Sequence, residues 1–177
     1  DELDNMLEQM AELVLDAGAM DVLVADTPAK IKDAWAARSS FLEAIMHETK
    51  LLDECDVVVP VNKIADYLDF VNKTGEDCGL VIKSFGHAGD GNLHIYQCSN
   101  DLEEEEFKSR VDKFFEIIYK EATNCGGLVS GEHGIGSGKI KYLVDSVGET
   151  NMALMEGIKR VFDPKMILNP GKVCYRL

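Results

Sequence analysis

Two apolar segments joined by a short glycine-rich stretch constrain the fold of this chain more than any other feature. GLVIKSFG at 79–86 and LHIYQC at 93–98 contain the β-branched and aromatic residues typical of strands, and HAGDGN lies directly between them. Because glycine permits positive φ and close approach of backbone, the connection between the two segments can be tight. The pattern therefore predicts an antiparallel hairpin whose connection carries polar side chains.

The hairpin connection and one later glycine-rich segment contain three of the four histidines. His87 and His94 flank the first turn, and GEHGIG at 131–136 adds Glu132 and His133. Imidazole and carboxylate groups bind divalent metals and act as acid–base catalysts. His87, His94 and Glu132 would give a His₂Glu ligand set with an open position, which is typical of catalytic zinc. The same side chains could equally be polar turn residues that hydrogen-bond the backbone, and the spacing leaves both interpretations open.

Other polar residues are weaker candidates for a site. His133 could act as a general base, because a neutral imidazole accepts protons at about pH 7. Asn92 could cap the turn or contact a substrate oxygen. Arg38 could bind a substrate carboxylate as a bidentate donor, or lie on a helix surface. His47 has no partner motif and is interpreted as structural.

Charge, hydropathy and cysteine content exclude several classes of protein. The net charge of −14 argues against nucleic acid or an anionic membrane as a partner, and no apolar run reaches the roughly 18 residues of a transmembrane segment. The five cysteines form no CxxC pair, which favours reduced thiols in a cytoplasmic protein. GIGSGKI lacks the residues of a Walker A loop, and Lys139 replaces the third glycine of GxGxxG, so no nucleotide loop of either kind is predicted.

Hydrophobic periodicity predicts further helices and strands along the chain. The predicted helices cover 2–18, Thr27–Pro28 to about Ala44, Asn62 to just before Gly75, about Asp101 to Gly126–Gly127, 137–145, and a last helix capped by Thr150. The predicted strands outside the hairpin are 21–25, 56–61 and a brief one at 128–130. This irregular alternation predicts an α+β fold, with an antiparallel or mixed sheet covered by helices on one face.

Three ordered segments, GHAGDGNLH, SGEHGIG and FDPKMILNPGKV, resemble the C-terminal domain of the FAD-linked oxidases. Trp35, Arg38 and the strand ending in Val59–Pro60 agree with this vanillyl-alcohol-oxidase-like group, which includes glycolate oxidase large subunits, D-lactate dehydrogenases and D-2-hydroxyglutarate dehydrogenase. The resemblance implies that residues 1–177 form one substrate-side cap domain with a ferredoxin-like antiparallel sheet. It also implies a separate amino-terminal FAD-binding domain, which agrees with the start without Met and leaves this fragment inactive alone.

The resemblance also implies roles for individual residues. The ligands of a divalent metal, with zinc expected, would be His87, His94 and Glu132. His133 would be the base that removes the hydroxyl proton, Arg38 would bind the substrate carboxylate, and Asn92 would contact the substrate. The implied flavin contacts are Asn92, Gly134 and Asn169.

The implied reaction is oxidation of a 2-hydroxy acid to the 2-oxo acid, with hydride transfer to FAD and onward transfer of electrons to a protein or quinone. Relatives that oxidise a diacid have a threonine one turn after the arginine and a lysine before the proline-ended strand. The corresponding positions here are Leu42 and approximately Glu54, which favours lactate or glycolate. Two alternatives stay open: a non-catalytic metal-binding or interaction domain of the same fold, and a metallohydrolase, although no HExxH helix is present.

Overall fold

The computed structural model describes residues 2–174 of the chain. Contacts between Cα atoms divide the chain into two compact units, Asp1–Ala44 and Ile45–Leu177. These units are defined by packing alone. The interpretation of residues 1–177 as one family domain therefore stays a prediction.

The first unit contains the helices α1 (Glu2–Asp16) and α2 (Pro28–Ser39). Both were predicted, and Thr27 caps α2 as expected, since its hydroxyl accepts a hydrogen bond from the N–H of Lys30 at 3.3 Å. The predicted continuation to Ala44 is interrupted at Ser40, and a separate helix α3 (Phe41–Glu48) follows.

The predicted strand at 21–25 is wrong. Within residues 2–174 this segment pairs with no strand, and the side chain of Leu23 is 88% exposed. A short apolar run becomes a strand only where a neighbouring strand accepts its backbone hydrogen bonds. The described residues offer this segment no such neighbour.

Three antiparallel strands form the sheet of the second unit: β1 (Leu51–Val58), β2 (Val81–His87) and β3 (Asn92–Ser99). Their order is β1-β3-β2, so the predicted hairpin of β2 and β3 and the predicted α+β class with an antiparallel sheet are confirmed. β1 begins at Leu51, well before the predicted start at 56, because Leu51 pairs with Ser99 at the far end of β3.

Helices α4 (Ile64–Cys78) and α5 (Glu104–Asn124) pack on one face of this sheet. Val57 of β1, Ile95 of β3 and Phe114 of α5 are fully buried in the core between them. Successive side chains of a strand point to opposite faces, so the residues on either side of Val57 and Ile95 belong to the second face. That second face carries the polar residues described below.

α4 extends further than predicted and includes Gly75. A 3₁₀ helix, Val61–Lys63, precedes α4, so Asn62 is not its cap. The helix then continues through Gly75, where a Cβ would lie 2.1 Å from Cγ1 of Ile82. Gly75 therefore allows close packing of α4 on β2, and the helix ends only at Gly79, which has a φ of +65°.

The C-terminal part contains the two predicted helices but not the predicted strand. The predicted strand at 128–130 is reduced to one bridge between Leu128 and Val58. The two predicted helices are present in the segment α6 (Ile140–Phe162), which Gly148 (φ 76°, ψ 164°) divides by a kink two residues before the predicted cap. No helix in the described part of the chain is long and apolar enough to cross a membrane.

Candidate functional site

The register of the sheet aligns the polar residues of its second face in rows. His94 of β3 lies opposite Asp56 of β1 on one side and Phe85 of β2 on the other. In the next row of the hairpin, Asn92 lies opposite His87. Because residues opposite each other in an antiparallel pair share a face, this end of the sheet collects imidazole, amide and carboxylate groups.

A tight turn joins β2 to β3 and brings the two histidines together. The carbonyl of His87 accepts hydrogen bonds from the N–H groups of Asp90 at 3.2 Å and Gly91 at 3.0 Å. Gly91 has a φ of +78°, and a Cβ there would lie 1.9 Å from the carbonyl oxygen of Val59, so only glycine fits. The rings of His87 and His94 consequently lie 6.0 Å apart, centroid to centroid.

The three predicted metal ligands converge at this turn. Oε1 of Glu132 lies 2.8 Å from Nε2 of His94 and 3.8 Å from Nε2 of His87, and the three ligand atoms lie within 4.8 Å of one another. A tetrahedral zinc ion would hold such atoms about 3.3 Å apart. The observed separations of 2.8 and 3.8 Å lie on either side of this spacing, and the side chains of His87 and Glu132 are half-exposed, so the residue types and their spacing would suit a divalent ion.

A buried carboxylate that the sequence analysis did not single out organises the segment carrying Glu132. Asp56 is fully buried, and its Oδ2 atom accepts a hydrogen bond from the hydroxyl of Ser130 at 2.9 Å. It also accepts hydrogen bonds of 2.7 to 3.0 Å from three consecutive backbone N–H groups, those of Gly131, Glu132 and His133. The ammonium of Lys139 pairs with the other oxygen.

The environment of Asp56 keeps it ionised. Burial alone would raise the pKa of this carboxyl, but the hydrogen bond from Lys139 and those from the backbone of His133 and Glu132 outweigh it and hold the pKa well below its ordinary value. The signal in the sequence was a lone acidic residue opening the apolar run DVVVP. A charge in a buried strand needs a partner elsewhere in the chain.

Glu54, which the family resemblance places only approximately on the substrate side, lies directly beside two of the histidines. Its Oε1 atom lies 3.2 Å from Nδ1 of His94 and 3.4 Å from Nδ1 of His133. The His94 and His133 rings are 4.9 Å apart. Glu54, His94 and His133 thus form a second group of possible ligand atoms within 4.8 Å of one another, next to the predicted one.

Asn92 lies at the edge of the same site. Its side chain is buried, and its Oδ1 atom has no hydrogen-bond partner among residues 2–174. The amide packs directly on Gly131, where a Cβ would lie 2.2 Å from Oδ1. A buried acceptor left unpaired is costly, so this atom is available to a ligand.

The remaining predicted site residues lie around the 130–136 loop or outside the second unit. The N–H of Gly134 donates to the hydroxyl of Ser130 at 2.9 Å. The tail that contains the exposed Asn169 is tied to this loop by a 2.8 Å hydrogen bond from the N–H of Val173 to the carbonyl of Gly136. Arg38 lies in α2 of the first unit, and its part in the site stays a prediction.

Comparisons with known proteins support the family resemblance predicted from the segments that form this site. The family model described as FAD linked oxidases, C-terminal domain, matches residues 1–173. The chain is 60% identical over 177 residues to D-lactate dehydrogenase of Anaerostipes hadrus, which covers 100% of this chain and 37% of that protein. It is 37% identical over 171 residues to D-lactate dehydrogenase of Archaeoglobus fulgidus, and the matched residues make up 96% of this chain and 37% of that protein.

A third relative is glycolate oxidase subunit GlcD of Bacillus subtilis, 34% identical over 169 residues that cover 94% of this chain and 35% of that protein. The chain thus spans little more than a third of the length of these curated relatives. Because the family model matches almost the whole chain, the chain belongs to the FAD-linked oxidases and corresponds to their C-terminal domain.

Proposed function

We propose that this chain is the substrate- and metal-binding domain of a FAD-dependent dehydrogenase that oxidises D-lactate or a similar 2-hydroxy monocarboxylate to the 2-oxo acid. The observation that carries the proposal is the convergence of His87, His94 and Glu132 beside His133. The names of the relatives supply the substrate class, since two are D-lactate dehydrogenases and one is a glycolate oxidase subunit.

The metal-binding part of the proposal assigns a divalent ion, with zinc expected, to His87, His94 and Glu132. Such an ion would act as a Lewis acid that lowers the pKa of the substrate hydroxyl. Glu132 and His87 are half-exposed, and His94 is almost fully buried. The buried ligand would anchor the ion while the exposed side leaves room for the carboxylate and hydroxyl oxygens of the substrate.

The chain's own residues would then bind the substrate and move its proton. His133 would accept the hydroxyl proton at Nε2, because its Nδ1 atom faces Glu54 at 3.4 Å. Asn92 would contact the substrate, since its buried amide oxygen has no partner among residues 2–174. Arg38 would bind the substrate carboxylate as a bidentate donor.

FAD would supply the hydride acceptor, bound mainly by another domain of the same protein. The residues of this chain proposed to contact it are Asn92, Gly134 and Asn169. Electrons would pass on to a protein or quinone acceptor. The carboxylate of Glu54, next to His94 and His133, adds negative charge that disfavours a second carboxylate on the substrate, which favours lactate or glycolate over a diacid.

The test uses the full-length protein with FAD bound, an artificial electron acceptor, and D-lactate, glycolate and 2-hydroxyglutarate as substrates. The His133→Ala variant should retain about one equivalent of metal and lose about 10²- to 10⁴-fold in kcat. His87→Ala should lose both metal and turnover. The control is His47→Ala, because His47 is the fourth histidine and is exposed in α3, and it should change neither quantity.

Three results would contradict the proposal or one part of it. Metal bound at these residues without turnover of any 2-hydroxy acid would indicate the alternative, a non-catalytic metal-binding domain of the same fold. Full turnover by His133→Ala would remove the assigned base. A higher kcat/KM for 2-hydroxyglutarate than for D-lactate would overturn the monocarboxylate assignment alone.

A further inference from the structure

We infer that Glu54 is a positioning residue that orients the metal ligand His94 and the base His133 with a single carboxylate. The inference rests on the proposed function, because it concerns what these two imidazoles do there. Glu54 lies on β1, two residues before Asp56, and its side chain is 29% exposed. It is therefore covered enough to hold one position next to the two rings.

The two nitrogens of His94 face two different carboxylates. Nδ1 lies 3.2 Å from Oε1 of Glu54, and Nε2 lies 2.8 Å from Oε1 of Glu132. When Nδ1 carries the proton and donates it to Glu54, Nε2 keeps its lone pair for the ion. An acceptor behind a metal-bound histidine also fixes the ring orientation and raises the basicity of the ligand.

The same oxygen of Glu54 lies 3.4 Å from Nδ1 of His133. A carboxylate oxygen has two lone pairs, so Oε1 of Glu54 can keep the hydrogen bond with His94 and also accept from Nδ1 of His133 after a small rotation of the half-exposed His133 ring. The proton on Nδ1 of His133 then leaves Nε2 as the atom that takes the substrate proton. One side chain consequently selects the tautomer of both imidazoles.

The nearest competing role for Glu54 is that of a metal ligand, since its carboxylate also lies with His94 and His133 within 4.8 Å. A neutral imidazole has only one lone pair to offer an ion. If His94 uses Nε2 for the ion held with His87 and Glu132, its Nδ1 atom is a donor and cannot bind a second ion. The positioning role and the ligand role therefore predict different metal stoichiometries.

The experiment is a zinc titration of the metal-free full-length protein by calorimetry, with turnover of D-lactate measured in parallel. Glu54→Ala should bind zinc 10- to 100-fold more weakly, with an unchanged saturating stoichiometry of about one. Glu54→Gln should recover part of the affinity, because its amide oxygen still accepts from Nδ1. In both variants kcat should fall more than KM rises.

The matched control is Glu116→Gln, because Glu116 is an exposed glutamate of α5 that pairs with Lys141. It should leave the zinc affinity and kcat unchanged. Equal zinc affinity in wild type and Glu54→Ala would overturn the inference. A saturating stoichiometry that falls by about one equivalent in Glu54→Ala would also overturn it, because Glu54 would then be a ligand.

If the wild-type protein binds no zinc, the metal part of the proposed function fails, and the inference is decided by the imidazoles themselves. ¹⁵N NMR of the histidine rings should show the proton of neutral His133 on Nδ1 in the wild type, and a shift of this proton towards Nε2 in Glu54→Ala. Identical ring-nitrogen signals in the two proteins would overturn the positioning role.

Discussion

The two units of this chain contain similar amphipathic helices, but only the second unit buries them. In α1 the apolar stripe is Leu3, Met6, Leu7, Met10, Leu13 and Val14, and every one of these side chains is at least 40% exposed. In α5 the apolar stripe is Phe107, Val111, Phe114, Ile118 and Ala122, and all five are buried. The periodicity is the same kind of signal in both helices.

The difference shows that periodicity determines the helix and that a partner surface determines its burial. α5 packs against the sheet, whose core face presents residues such as Val57 and Ile95. The second face of that sheet carries Asp56 and His94. The candidate metal ligands therefore depend on the unit that has a packed core, and the stability of the two units should respond differently to substitution.

The largest expected effect is in the core of the second unit. Phe114→Ala should lower the free energy of unfolding by about 3 to 5 kcal/mol, because it removes a fully buried ring and leaves a cavity. Urea denaturation measures it. The adjacent Phe115, which is only partly buried, is the control, and Phe115→Ala should cost clearly less. A loss below about 1 kcal/mol in Phe114→Ala would mean that this core is not formed as described.

The next largest effect is expected from Asp56→Asn, which should lower the free energy of unfolding by about 3 kcal/mol. The substitution leaves the ammonium of Lys139, which is only 16% exposed, without its counter-charge. It should also weaken zinc binding, because the N–H groups of Glu132 and His133 lose an ionised acceptor. Asp53→Asn, at an exposed position of the same strand, is the control and should change neither quantity. Wild-type stability in Asp56→Asn would contradict the role of the buried pair.

A smaller effect is expected from acid. The pKa of Asp56 in the folded protein lies below its ordinary value of 3.8. The ionised carboxylate therefore contributes its full stabilisation of the fold above pH 3.8. This contribution is lost as the pH falls from the unfolded pKa towards the folded pKa. The stability gap between wild type and Asp56→Asn should therefore be constant from pH 7 to about pH 5 and shrink by roughly 1 kcal/mol by pH 3. Urea midpoints at these three pH values measure the gap. A stability gap that widens between pH 5 and pH 3 would contradict a lowered pKa of Asp56 in the folded state.

The smallest effect is expected in the first unit. Leu7→Ala should change the free energy of unfolding by less than about 0.5 kcal/mol, because this side chain of α1 is 40% exposed and alanine favours the helix. Thermal unfolding of the full-length protein measures it. A loss above about 1.5 kcal/mol would show that the stripe of α1 is covered in that protein, and the contrast between the units would disappear.

The sequence predicted the parts of the site that lie close together along the chain. His87 and His94 were predicted on the two arms of a glycine turn, and the hairpin of β2 and β3 brings them together. Glu132 was predicted as the third ligand only through the residue types of its loop and the family resemblance. The family resemblance places Glu54 only approximately on the substrate side, and no motif in the sequence gives Asp56 a role in the site.

The elements that were mispredicted share a physical cause. Gly75 was expected to end a helix, but its lack of a side chain serves the contact with Ile82. The segment 21–25 has the residues of a strand but no partner within the described chain. In both cases the local sequence pattern was as expected. The presence or absence of a contact with a residue distant in sequence decided which structure formed.

The amino-acid sequence by itself determined the helices with strong periodicity, the hairpin, the glycine turns and the type of chemistry that His87, His94, Glu132 and His133 can perform. These properties depend on backbone freedom and side-chain chemistry within a few residues. Only the tertiary structure decided that Asp56 accepts hydrogen bonds from the loop of Glu132 and that Glu54 lies next to the Nδ1 atoms of two imidazoles. The register of β1 against β3 places Asp56 opposite His94 and Glu54 one residue pair further along the same face, and the bridge between Val58 and Leu128 brings the loop of Glu132 to the same strand. Both contacts join residues distant in sequence and follow from packing of the whole sheet.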